Sequence, residues 1–230
     1  MADVVAMTQT AAAAAEAVST PVNYMGILLT LTRWAHYIAG VMWIGHLWFF
    51  NFVNSNLQAD AKYPAEMKKV VNPLLMTRSL FMFRWGAMFT LITGLMLLGF
   101  IYRTAAVWAL PSDMNGHSMK ALYMGMGVIF GGIMWRNVWF VIWPRQKKII
   151  GAAQGGPAVD PELAKQAGKA SRTNTFLSVP MLLGMMGGAH TEYQLPGGYI
   201  GLVVGIAIGM WVVKLTYKYA PMVDTQIFKG

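Results

Sequence analysis

The residues of this chain best suited to chemistry sit where side chains of their kind are costly. Within 33-RWAHYIAGVMWIGHLWFFNF-52, two histidines and an arginine interrupt an otherwise apolar run. His36 and His46 are ten residues apart. On a helix that spacing is about 15 Å of rise and about 80° of rotation, so both rings share one broad face. Imidazoles placed this way can each hold a haem iron if another helix brings the opposite axial ligand. Otherwise they hydrogen-bond a neighbouring helix or the backbone. His117 and His190 are the other two of the four histidines. His190 closes a later apolar segment and is the best partner for His36. Met181, Met185 and Met186 keep His–Met ligation open. Arg33 precedes His36 by three residues and lies on the same face. Arg33 and Arg136 sit deep in apolar segments that contain no Asp or Glu. Each is a candidate to hold an anionic group such as a haem propionate or a lipid phosphate, or to bond backbone and water. Arg84 is expected to snorkel to the inner face.

Composition decides what kind of element carries these residues. The 230 residues are 56% hydrophobic and 12% charged, with mean hydropathy +0.46. A soluble domain carries about 25% charged residues, so an all-α integral membrane protein is expected. The net charge of +9 then reads as loop lysines and arginines, and no nucleic-acid motif accompanies it. With no cysteine, disulfides, thiolate ligation and a Cys-x-x-Cys-His haem attachment are excluded within these residues. The nine carboxylates fall mostly in loops, which argues against a carboxylate-rich di-metal centre. The 19 methionines read mainly as packing.

Residues 1–22 read as a polar, Ala-rich tail with a short amphipathic helix, and 23–230 as one transmembrane helical domain. Five spans are predicted, at about 24–52, 79–101, 121–143, 176–190 and 198–219. The fourth is short and contains Pro180 and the pair Gly187-Gly188. With five spans, the segments 53–78 and 144–175 and the C-terminal region share one side. They carry thirteen basic residues, against Arg103 and Lys120 on the other side. That asymmetry predicts the N-terminus out and the C-terminus in. The inner segment 144–174 reads as a helix end, a turn at 155-GGP-157 and a short helix opened by Asp160-Pro161-Glu162. Its lysines are expected to meet anionic lipid. The spacings 127-GVIFG-131 and 205-GIAIG-209 predict close helix contacts. Aromatic residues near span ends, including Trp48, Phe50, Trp139, Trp143 and Tyr217, predict an interfacial belt.

The motif 33-RWAHYIAGVMWIG-45, with 133-IMWRNVWFVIWPRQKKIIGA-152 and 159-VDPELAKQAGKASRTNTFLSVPMLLGMM-186, resembles the membrane domain of the bacterial membrane-bound urate oxidases, or urate hydroxylases. The resemblance spans about 27–219 and is best at 133–186. It implies a bacterial cytoplasmic (inner) membrane protein with redox function. In that family a C-terminal cytochrome c domain commonly follows, and the 230 residues lack one. The family's Asn-His pair corresponds to Ala189-His190 here, and His46 is an addition.

The resulting expectation is a membrane redox subunit, a membrane-bound oxidoreductase if it is an enzyme. It would pass electrons to a separate cytochrome c or oxidase and hold haem b on His36 and His190, with Arg33, Arg136 and His46 at cofactor-binding positions. The alternative is a non-catalytic accessory subunit packed among other membrane subunits of a respiratory or oxygenase complex. Membrane lipids are partners in either case. A tag at the N-terminus should be reached from outside the cytoplasmic membrane and one after Gly230 from the cytoplasm. Both tags on the same side would overturn the orientation.

Overall fold

The computed structural model describes residues 3–10, 22–102, 117–190 and 197–223. Within helices, the side chains of residues 101–102, 117–120, 189–190 and 197–198 lie outside the described set, so those of His117 and His190 do too. Helix α1 covers 3–10 and is exposed throughout. The bundle begins with α2 (Tyr24–Trp48), which passes through a π-helical turn (Phe49–Asn54) into the short α3 (Ser55–Ala59). Next comes α4 (Ala65–Leu97), ending in a π-helical turn (Leu98–Tyr102). Helix α5 (His117–Arg136) likewise runs through a π-helical turn (Asn137–Ile142) into α6 (Trp143–Ala153), and α7 (Pro161–His190) and α8 (Gly197–Tyr219) follow. All regular elements among the described residues are helical.

Two antiparallel hairpins form the bundle. In the first, α2 lies along α4, with His36 level with Thr93, Trp43 with Gly86 and Phe50 with Phe83. In the second, α5 lies along α7, with Gly127 level with Gly184 and Asn137 with Asn174. Helix α8 packs on the outside of α7. Trp43, Leu47, Phe83, Ala87, Met134, Val138 and Met181 form the core where the hairpins meet.

The helices are longer than the apolar pattern predicts, because their polar ends are helical too. The expected loop 53–78 is mostly helix, interrupted only by the turn around Asp60. There the Asp60 carboxylate accepts from the Lys62 amide (2.8 Å). Pro64, extended at ψ 149°, then precedes a run rich in helix formers, Ala-Glu-Met-Lys-Lys. Gln58 and Asn72 exchange amide hydrogen bonds of 2.8 and 3.0 Å across this hairpin. The turn of the second hairpin follows its sequence more closely. Gly155 has φ +93°, the Gly156 amide donates to the Gly151 carbonyl (2.9 Å), and Asp160 caps α7 through the Glu162 amide (2.9 Å). The expected short helix after this cap does not stop; it is the first half of α7.

The count of spans changes for the same reason. Four stretches among the described residues are long and apolar enough to cross a membrane: Tyr24–Ala59, Ala65–Phe100, Ala121–Ala153 and Tyr199–Met222. The expected fifth span, 176–190, is the C-terminal half of α7 and does not qualify. Its helix is polar where it is most enclosed, with Asn174, Thr175 and Ser178 all fully buried. Neighbouring helices, not lipid, form its surroundings there, so an apolar surface is not required. The same enclosure lets Pro180 stand inside α7, since backbone groups freed by a proline can be satisfied by the surrounding protein.

Close packing depends on the small residues. A Cβ on Gly184 would stand 2.5 Å from the Gly127 nitrogen and the Tyr123 carbonyl oxygen, so α5 and α7 approach backbone to backbone. The 205–209 pair receives Leu183 and Val179 of α7. Several of the aromatic residues expected in an interfacial belt also make contacts between helices. Trp48 donates to Ser178 (3.1 Å), Phe50 packs edge-on against Phe83, and Trp139 meets Trp85.

Gly184→Ala should force α5 and α7 apart, with the protein failing to yield a monodisperse peak in detergent. Asn174→Ala should fold but lose about 1–3 kcal/mol of stability, seen as a lower midpoint of thermal unfolding in micelles. A Gly184→Ala protein as stable as the parent would refute the close contact.

Candidate functional site

The face of α2 that carries His36 is turned to α4. His36 is half-buried, and its Nδ1 lies 3.0 Å from the Thr93 hydroxyl oxygen. The Thr93 hydroxyl has one proton and directs it to the Phe89 carbonyl at 2.6 Å. With its proton there, Thr93 accepts from His36 and the imidazole carries its proton on Nδ1 and its lone pair on Nε2; with the hydroxyl turned to the ring, the roles reverse. Gly94 permits the approach, since a Cβ there would stand 3.1 Å from the His36 ring. One turn along α2, Gly40 opens onto free space, with nothing within 4 Å of where its Cβ would be.

His46 reaches Nδ1 protonation by another route. Its Nδ1 lies 2.7 Å from the Met42 carbonyl oxygen of its own helix, and a carbonyl only accepts. His46 thus keeps Nε2 as its electron-pair donor, and His36 does so when Thr93 accepts from it. An internal acceptor on Nδ1 is the usual way a metal-binding imidazole is oriented. The ring of His46 tilts against Phe50, centroids 6.3 Å apart.

The remaining sequence candidates are dispersed. Arg33 is exposed, one turn beyond His36 on α2. Arg136 is exposed at the end of α5. Its neighbour Asn137 pairs with Asn174, and α7 meets α2 near that level through Trp48–Ser178 and Asn51–Ser171. Arg136 therefore lies roughly 20 Å from His36 along the bundle axis, and the structure does not bring the two together. His190 ends α7. Counting twelve residues from the Trp48–Ser178 contact along each antiparallel helix puts residues 36 and 190 at one level, about 18 Å beyond it. Among the described residues no cluster of three His, Cys, Asp or Glu side chains is arranged for a metal ion.

Arg84 was not anticipated as a site residue. Its guanidinium lies against indole rings, 4.0 Å from the centroid of Trp143, 5.1 Å from Trp139 and 5.6 Å from Trp85. Its Nε is buried without a hydrogen-bond partner, as are Nε1 of Trp43, Trp135 and Trp139. The sequence signal was present: an arginine in an apolar run with no carboxylate between Glu66 and Asp113, and tryptophans at 135, 139 and 143, on successive turns of a facing helix.

The urate oxidase N-terminal family matches residues 106–221. The chain belongs to that family. No curated protein and no solved structure matches it. The urate oxidase N-terminal match takes in α5 to α8, and so His117, Arg136 and His190. It begins after the first hairpin, where Arg33, His36, His46 and Arg84 reside. The resemblance expected over about 27–219 is thus established by the family match over its second half.

If Thr93 fixes the imidazole, 15N spectra of labelled protein should show neutral His36 protonated at Nδ1, and Thr93→Val should remove that preference. An Nε2-protonated ring in the parent would refute the assignment.

Proposed function

We propose that this member of the urate oxidase N-terminal family is an integral redox subunit of the bacterial cytoplasmic membrane that passes electrons to a separate cytochrome c or oxidase. The observation that carries the reading is the tethering of His36, whose Nδ1 lies 3.0 Å from the Thr93 hydroxyl, an arrangement that leaves Nε2 a lone pair within an apolar helix when Nδ1 carries the proton. Its surroundings fit haem b on that side: a single imidazole donor, the open flank at Gly40, and Arg33 one turn away as a partner for a propionate. His190 is the best second ligand, supported by its level on α7. His46, with the same tautomer, is a second donor some 15 Å along α2. When bound, haem supplies one-electron chemistry. The polypeptide sets the direction of the imidazole, excludes water with the Trp43–Phe83–Met134 core, and places a guanidinium near His36.

In this reading the N-terminus lies out and the C-terminus in, with α7 returning through the bundle enclosed by its neighbours and not as an apolar span of its own. The up-and-down course of α2, α4, α5–α6, α7 and α8 supports it, as does the gathering of basic residues at the end where both hairpin turns lie.

Oxidised and reduced visible spectra of the purified protein should show a b-type haem. His36→Ala should abolish it, and Arg33→Gln should keep the spectrum while shifting the midpoint potential. A colourless protein that co-purifies with a larger complex would instead establish the accessory role, with His36 serving only to join α2 to α4.

A further inference from the structure

Arg84 poses a problem that the redox reading leaves unused. It is a permanent cation inside the Ala65–Phe100 span, and no hydrogen bond or ion pair to it is found among the described residues. The one ion pair there, Lys165–Glu162, lies on the exposed start of α7. Indole faces supply some stabilisation, but they accept nothing from its N–H groups, and Nε stays unpaired. Bare guanidinium charge in a bilayer costs several kcal/mol or more. The missing component is an acceptor carrying negative charge.

A second cation shares the same ring. Lys147 Nζ lies 5.6 Å from the centroid of Trp143, while Arg84 approaches that indole to 4.0 Å. Lys147 is exposed and one turn past Trp143 toward the basic end of the bundle. Arg84 therefore lies a turn or so deeper than Lys147, where α4 meets α6. The outlook there is apolar: Phe81 and Phe89 flank Arg84 on α4, and Phe140 follows Trp139, with 53%, 49% and 62% exposure. A group that reaches this place arrives through the bilayer with its charge at the level of Lys147.

We propose that Arg84, Trp143 and Lys147 bind the phosphate of an anionic phospholipid. The guanidinium donates from below, the ammonium from the water side, and the indole edge and phenylalanines cover the glycerol and upper acyl chains. Phosphate is the shared chemistry with the soluble anion; the apolar approach favours the lipid.

The test uses the full chain in detergent, stripped of lipid by washing and titrated with dioleoyl-phosphatidylglycerol or dioleoyl-phosphatidylcholine in mixed micelles, with bound lipid counted by native mass spectrometry. One phosphatidylglycerol should be held in clear preference to phosphatidylcholine. Arg84→Gln should weaken it about tenfold, as loss of a charge-assisted hydrogen bond does. Lys147→Gln should weaken it about fivefold. Lys148→Gln, also exposed but not seated over the Trp143 ring, should leave it unchanged, and millimolar inorganic phosphate should not displace it. Equal binding of the two lipids would overturn the proposal. So would equal losses from Lys147→Gln and Lys148→Gln, which would mean diffuse surface charge, or displacement by free phosphate, which would mean a soluble-anion site. Should Arg84→Gln fail to fold, the comparison of the two lysine variants decides.

Discussion

The amide groups of Asn51 and Asn174 fix how the helices stand against one another. Between helices in a bilayer there is no hydrophobic push, since lipid tails are as apolar as the side chains they would leave. Contact must come from close packing and from polar groups with nowhere else to bond. Asn51 uses its amide completely: Nδ2 donates to the Leu47 carbonyl and to Ser171, each at 2.8 Å, and Oδ1 accepts from Tyr217 at 2.9 Å. One side chain thereby ties α2 to α7 and α8. Asn174 does the same for the second hairpin, donating to the Met134 carbonyl at 2.9 Å and accepting from Asn137 at 2.8 Å. Asn51 lies within a π-helical turn, and Asn174 bonds Asn137 at the start of another, where the extra residue re-aims side chains that a regular helix would direct elsewhere. The level and rotation of α2, and with them the direction of His36, follow from this junction.

The interior so held is rich in donors and poor in acceptors. Indole N–H groups and a guanidinium lie in it, and among the described residues carboxylates do not. Aromatic faces take the place of counter-ions, for Arg84 against Trp143 and for Arg172 over Tyr217 at 4.4 Å. A protein built this way is complemented by ligands that bring oxygen atoms or negative charge.

Much of this was legible in the sequence because the bilayer restricts the choices. Apolar runs located the helices, and the small-residue spacings at 127–131 and 205–209 marked real contacts. Asp160-Pro161 marked the start of α7. What hydropathy could not show was where a helix continues past its apolar part, as at 65–78 and 161–175, since polar residues on a helix and on a loop score alike. It also undervalued α7, whose burial by protein removes the need for apolarity. For the site, an isolated histidine could be recognised but its tautomer could not, because the Thr93 hydroxyl is fifty-seven residues away. The stacking of Arg84 was hidden for a similar reason: Trp139 and Trp143 belong to another hairpin.

The distances along the chain between bonded residues also set an order of assembly. Each hairpin closes on itself over a short stretch, so α2–α4 and α5–α7 can each pair soon after synthesis. The bonds of Asn51 to Ser171 and Tyr217 join residues 120 and 166 positions apart. Until α8 has been made, the Asn51 carbonyl oxygen lacks its phenol donor, and the first hairpin carries an unsatisfied amide in the bilayer. The polar junction is thus the last part to be completed, and a chain stalled before Tyr217 holds its first hairpin in the bilayer with that amide oxygen still open.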